Sequence, residues 1–442
     1  MKKLSKLSMI FAVFILAFSL TACRKNNTSN ESVAITARSA TIDTTKEDTI
    51  KLRIYVKYFD EDTKKPYDYA VAELKKEMPK IELVLDPMQQ DNNQKLKAYA
   101  ATGNMPDIFD VDFNIIKAFV ESKNIEVLDN AQATKDLLAD FNPGYENALA
   151  APDGHIYAYT AGGTNFQMLY YNKKLFAEAG VQAPIKTYDE WIVAIKKFKA
   201  KGIIPLSIFA KEKWIANSLY RGMVTRELPD GYAALEQKGL TQLPDAFKNA
   251  SNEFEKLKEA GLFDANATNT NYDQASELFY TSKAAMFING QWEIFSSDKK
   301  LVNDVDWMYW PAKDEQKYEN MKYYLNGAPA PGGFAVSQTS EHKEEAIKVA
   351  AILARKYSEY QYLKLGNPIV SLKIDKPVSA NPPVMMQHLI DETLPNVKGY
   401  AKFNQSTELN NALDDNAQNL LIKGFTDKQF NENIERILKE IN

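Results

Sequence analysis

Residues 50–111 switch repeatedly between two hydrophobic periods, and that alternation constrains the fold more than any other feature of the chain. In IKLRIYVKY, Ile50, Leu52, Ile54, Val56 and Tyr58 alternate with Lys51, Arg53 and Lys57, the two-residue repeat of a strand. Ala70, Val71, Leu74 and Met78 then follow at helical spacing, with Asp62 or Thr63 as the expected cap and Pro79 at the end. IELVL (81–85) returns to a strand, a helix carrying Leu96 and Tyr99 stops at Gly103, and PDIFDV (106–111) is a third strand. Strands separated by helices at this spacing form βαβ units and a parallel sheet, so the expected class is α/β. Ligands of such sheets bind outside the carboxyl ends of the strands. That brings Phe59, Asp60 and Glu61 into view after the first strand, and Asp110 and Asn114 after the third. Each acid taken alone is more simply a solvated loop charge.

A second α/β region begins near residue 160. QMLYYNKKLFAEAG runs from a strand into a helix closed by Gly180. Thr187 and Glu190 form a capping box for a helix through Trp191, Ile195 and Phe198 to Gly202. IPLSIF (204–209), AAMFIN, DWMYWP (306–311) and GFAVS (333–337) read as strands, and EHKEEAIKVAAILARKY as a long helix. Helices close the chain.

The amino terminus reads differently. Lys2, Lys3 and Lys6 precede the apolar run Met9–Leu20, which is of signal-peptide length and shorter than a membrane span. Leu20-Thr21-Ala22-Cys23 looks like a bacterial lipobox, in which the thiol is acylated and Cys23 becomes the first residue of the mature chain. Two acyl chains suffice for stable anchoring. Cys23 is the single cysteine of 442 residues, so the mature chain needs no disulfide. Residues 23–48 lack aromatics and are rich in Ser, Thr, Asn and Asp, which marks a flexible tether.

A formal charge of −4 argues against a nucleic-acid partner. His155, His342 and His388 are scattered, so a metal site is not expected. No Walker loop, GxGxxG or GxSxG occurs, and neither catalytic residues nor a cofactor are implied.

ATGNMPDIF (101–109), LYYNKKLFAEAG with TYDEW (169–191), GIIP (202–205), FYTSKAAMFINGQW (279–292) and PGGFAVSQTSEHKEEAIKVAAIL (331–353) occur in this order behind the lipobox. Together they resemble the sugar-binding lipoproteins of ABC importers, the family that includes maltose-binding protein. Ser282 departs from the pattern, because the family often has glycine before Lys-Ala-Ala-Met. The resemblance implies a two-lobed periplasmic-binding-protein-like fold (type II), with the ligand in a cleft between lobes. Residues 49–160 with 330–370 would form one lobe and 161–329 with 371–442 the other, hinged near Gly162, Gly163 and Asn165. It implies a non-enzymatic, monomeric, extracytoplasmic protein that captures a carbohydrate, an oligosaccharide by preference, and delivers it to ABC permease subunits.

By the same likeness Trp214 and Trp292 lie on the cleft face of the second lobe, Phe59, Asp60 and Asp110 on the first, and Asn165 on a crossing strand. These residue types suit a sugar. A flat aromatic covers its C–H face, while Asp and Asn take its hydroxyls. Trp191, inside an amphipathic helix, reads as core, and so do Trp307 and Trp310. An acidic sugar would call for an arginine fork, and the sequence leaves the places of Arg53, Arg221, Arg226 and Arg355 open. Two rival readings stand beside this one. The same fold could hold peptide or ferric iron, for which Tyr170-Tyr171 and Tyr323-Tyr324 are adjacent phenols; the third reading is a lipid-anchored glycoside hydrolase.

Overall fold

The computed structural model describes residues 49–441 apart from 143–144, 146–148, 161, 329–331 and 402–405. The signal segment, Cys23 and the tether lie outside the described residues, as does the side chain of Asn114.

Two five-stranded sheets organise the chain. In the first, β1 (Ile50–Val56), β2 (Ile81–Pro87) and β3 (Ile108–Val111) run parallel in the order β2-β1-β3. Leu52, Ile54 and Val56 point into a core shared with the long helix Lys343–Leu365. Tyr55 points the other way, into a second core with Phe109 and Val111. The polar alternation expected for β1 therefore holds for Lys51 and Arg53 but not for Tyr55, because a parallel sheet is covered on both faces. The sheet is completed by β4 (Ala158–Tyr159) and by a strand from far along the chain, β11 (Gly333–Val336). That strand inserts antiparallel between β3 and β4.

The second sheet has the order β10-β5-β7-β6, with β8 also on β5. Its strands are β5 (Asn165–Asn172), β6 (Ile204–Ser207), β7 (Ala284–Gly290), β8 (Val305–Met308) and β10 (Gly327–Ala328). Only β6 and β7 run parallel; β5 is antiparallel to β7, β8 and β10. A short pair, β9 (Tyr324–Leu325) with β12 (Gly399–Tyr400), lies apart. The large core around this sheet takes in Leu409, Leu413, Phe430 and Ile434 from the two terminal helices, Thr407–Leu420 and Asp427–Ile441.

The chain thus passes from the first sheet to the second through residues 160–164 and returns between β10 and β11. Gly163 sits where another segment runs alongside: a Cβ there would lie 2.5 Å from the Ile369 carbonyl oxygen, so only glycine allows the approach. Ser282 occupies the left-handed region (φ 55°), a conformation that favours glycine. Its hydroxyl accepts from the Asn172 amide at 3.0 Å, which helps to offset the backbone cost.

Candidate ligand cleft

The carboxyl ends of β1 and β3 open the site. Asp60 is extended (φ −125°, ψ 178°) and caps the helix Glu61–Glu77. Its Oδ1 accepts from the Thr63 N–H at 2.8 Å and from the Thr63 hydroxyl at 2.7 Å. Thr63 Oγ1 in turn accepts from the Asp60 N–H at 3.2 Å. The cap is therefore Asp60 and not Asp62 or Thr63, because Thr63 is the third helical residue and supplies the reciprocal half of a capping box. One oxygen of Asp60 is thus committed to the fold. Asp110 lies 3.6 Å from the ammonium of Lys57. Burial pushes the Asp110 carboxyl up and Lys57 only partly opposes it. The same carboxylate raises the Lys57 ammonium.

Trp214 stands in the first turn of the Lys213–Thr225 helix, beyond the end of β6, and is half-buried. Its indole N–H donates to Glu212 Oε2 at 2.9 Å, and its ring meets Phe209 edge-on at 5.3 Å. Phe209 contacts Tyr272 at 4.9 Å, and Tyr272 contacts Phe59 at 6.4 Å. A run of four aromatic rings therefore crosses from the second sheet to the first. Burial raises the Glu212 carboxyl, opposed by the Trp214 hydrogen bond and by the charge of Lys57. Lys57 and Glu212 are thus close enough to sense each other across the gap between the two sheets.

Trp292 is also half-buried, just beyond β7 at the start of the Glu293–Leu301 helix. Its ring lies flat against Gly290, where a Cβ would fall 2.1–2.4 Å from indole carbons. Asn165, exposed at the head of β5, accepts from the Gln291 amide at 3.2 Å. Gln291 links Gly290 to Trp292, so Asn165 and Trp292 share one corner. Of the six candidates, Phe59 and Trp214 are joined by the aromatic run and Asp110 reaches Trp214 through Lys57 and Glu212. Tyr272 links the corner with Trp292 to the rest, since its hydroxyl donates at 3.0 Å to Glu293. The arrangement offers flat apolar faces, acceptors and one amide.

Glu293, fully buried behind Trp292, was not singled out by the sequence reading. Its two oxygens accept from Tyr280 (2.6 Å), Ser297 (2.7 Å), Tyr272 (3.0 Å) and Asn289 (2.9 Å). Burial still pushes its carboxyl up to about 7. Lys57, Glu212 and Tyr272 also went unread, because only the approach of distant strand ends makes them neighbours. Glu212, two residues before Trp214 at a strand end, carried the one available local signal.

Within the run Phe209 is fully buried, so only Phe59, Tyr272 and Trp214 keep exposed surface, and the remaining aromatics belong to the core. Trp191 is fully buried, and Trp307 and Trp310 are 5 % exposed, with their N–H groups on the Met385 and Gln167 carbonyls. The Tyr170 phenol is buried and donates to the Gly290 carbonyl at 2.8 Å, whereas Tyr171 packs on Phe176. These adjacent phenols are engaged in a backbone hydrogen bond and in ring packing. A cavity of about 20 Å³ lined by Phe166, Met168, Trp307 and Trp310 is water-sized and belongs to packing.

Residues 60–356 match the family model described as bacterial extracellular solute-binding protein. A multiple sugar-binding protein of Streptococcus mutans is 22 % identical over 390 residues, covering 84 % of each chain. An ABC transporter extracellular-binding protein of Pyrococcus horikoshii is 24 % identical over 249 residues, 55 % of this chain and 56 % of that one. Among solved structures, a protein described for xylan utilization by Caldanaerobius polysaccharolyticus superposes with a TM-score of 0.74 at 24 % identity. It covers 89 % of this chain and all of that one. The fold is thus that of the two-lobed solute-binding proteins, and the chain belongs to the family of bacterial extracellular solute-binding proteins.

Proposed function

We propose that this protein captures a carbohydrate, an oligosaccharide by preference, between its two sheets and hands it to the permease of an ABC importer. The observation that carries this reading is the aromatic run Phe59–Tyr272–Phe209–Trp214 beside Asp110, Glu212 and Asn165. Flat apolar faces interleaved with hydroxyl-binding groups match a sugar ring better than a peptide or a metal ion. The name of the Streptococcus mutans relative supports the same class. Phe59, Asp60, Asp110, Asn165, Trp214 and Trp292 are the proposed contacts, divided between a lobe of residues 49–160 with 330–370 and a lobe of 161–329 with 371–442. The protein binds without chemistry, so purified protein should release no reducing sugar from oligosaccharides.

A thermal-shift screen against a sugar panel tests the reading, since a ligand that binds only the folded state raises the melting temperature. With the ligand so found, Trp214→Ala and Trp292→Ala should each weaken binding about thirtyfold or more, the size of an interface hot spot of ~2 kcal/mol. The ligand-free melts should change little. A large melting-temperature drop with affinity retained would return both residues to the core.

The amino-terminal segment completes the proposal. Residues 1–22 are a lipoprotein signal peptide, Cys23 carries the lipid, and residues 23–48 tether a monomeric body to the outer face of the cell membrane. Cys23→Ser should move the protein from the membrane pellet to the soluble fraction after a high-salt wash. Persistence in the pellet would place the anchor elsewhere.

A further inference from the structure

We infer that the cleft selects uncharged saccharides and rejects carboxylated ones, with Glu212 as the acceptor that enforces the choice. The inference rests on the sugar-binding reading and adds a charge class to it.

The first observation is where the guanidinium groups are. Recognition of a carboxylated sugar calls for a planar, bidentate donor. Among the described residues every arginine is engaged elsewhere. Arg53 binds Asn104 on the outer end of the first sheet. Arg221 is buried against Asn326 at 2.8 Å. Arg226 is buried and donates through Nη2 to the Tyr324 carbonyl, its Nε and Nη1 shut away from solvent without a hydrogen-bond partner; Arg355 pairs with Asp140, and Arg436 pairs with Glu440.

The second observation is Glu212. Its Oε2 takes the Trp214 N–H, while its Oε1 is buried with no hydrogen-bond partner. A buried acceptor left unmet is costly, and a donor from the ligand removes that cost. A sugar hydroxyl lying against the Trp214 ring supplies one. A ligand carboxylate supplies none at neutral pH, and it would set two acceptor-only groups face to face. The surrounding charge adds to the penalty. Glu212 senses Asp273, Lys57 and its neighbour Lys211, and Lys57 is shared with Asp110 and Asp112. Carboxylates outnumber ammonium groups there, and the Lys57 ammonium already stands 3.6 Å from Asp110.

Calorimetry on the mature protein with two sets of trisaccharide probes tests this. The neutral set is maltotriose, raffinose, xylotriose and chitotriose; the anionic set is the trimers of galacturonate, mannuronate and guluronate. At least one neutral probe should bind, and every triuronate should bind at least about a hundredfold more weakly, the scale of a like-charge clash of several kcal/mol. Glu212→Gln keeps an acceptor for Trp214 but replaces the one offered to the ligand with an amide donor. It should lower neutral-probe affinity about tenfold and narrow the gap to the triuronates. A triuronate bound as tightly as the best neutral probe overturns the charge selection while leaving the sugar reading intact. Silence from all seven probes overturns the selection as stated, while the sugar reading itself falls only if the thermal-shift panel is silent too. If Glu212→Gln fails to fold, the comparison of probe sets on the natural protein still decides.

Discussion

At the scale of single residues, the contact between Gly290 and Trp292 is the most exacting. The backbone of Gly290 would tolerate alanine, since it is not one of the glycines with positive φ. The obstacle is the indole ring lying where the methyl would go. Gly290→Ala should therefore push Trp292 off its seat and lower ligand affinity as much as Trp292→Ala does, and the double variant should be no worse than either single one. Full additivity in calorimetry would show that the two residues do not act through one contact. Trp292 stood out in the sequence as a tryptophan just beyond a glycine at a strand end. Lys57 did not, because in β1 it is simply the next polar residue of an alternation. Its pairing with Asp110 exists only once β3 lies beside β1.

Among elements, the helices Glu61–Glu77 and Glu293–Leu301 meet across the cleft. Asp62 accepts from Ser296, and Lys299 pairs with Glu61. Burial pushes Asp62 up to about 6 and Glu293, at the head of the second helix, up to about 7. A carboxyl whose folded pKa is raised holds its proton more tightly in the folded state than in the unfolded chain. Its stabilising effect is complete below the unfolded value near 4 and is lost as pH rises through 6 to 7. The melting temperature should accordingly fall between about pH 5 and pH 7.5. For Glu293 a rise from 4.5 to about 7 corresponds to ~3 kcal/mol. Glu293→Gln should flatten this slope, measured by calorimetry over that range, whatever the lost acceptor costs uniformly at every pH. A variant with the same slope as the natural protein would clear Glu293 of the effect.

The elements themselves were largely readable, since β1, the helix after it and the Thr187 capping box rest on local periods and caps. The mixed direction of the second sheet was not, because a strand pattern records which faces are buried and not which way its neighbours run. The cap at Asp60 was misread for a similar reason. Where a chain leaves a strand decides the cap, and the three consecutive acids Asp60, Glu61 and Asp62 with a threonine offer several equivalent starts.

For the whole molecule, the two sheets and their shared cleft make closure the natural response to ligand. Only a ligand that binds the closed form more tightly can shift the balance. Small-angle scattering should show a smaller radius of gyration with saturating sugar than without. Lys299→Glu replaces an attraction with a repulsion at the cleft edge and should weaken binding several-fold at low salt. The pair is solvent-exposed and worth at most about 1 kcal/mol, so the loss should fade at high salt. An affinity independent of salt would remove this pair from the closure. Two-sheet architecture was legible from the strand–helix alternation and from the order of motifs along the chain. The crossing of segments at Gly163 and Ile369 was not, because nothing local marks a glycine as the floor of another strand's path.

The late arrival of β11 has a consequence for how the protein is made. β3 and β4 have no pairing with each other; the strand that joins them begins at Gly333. The core around the second sheet is likewise finished only by Leu409, Phe430 and their neighbours near the carboxyl terminus. A ribosome that has produced the first three hundred residues holds a chain in which neither half can close its core. Such a polypeptide can complete neither half until synthesis is almost over, so the folding of both halves waits on the same late stretch of chain.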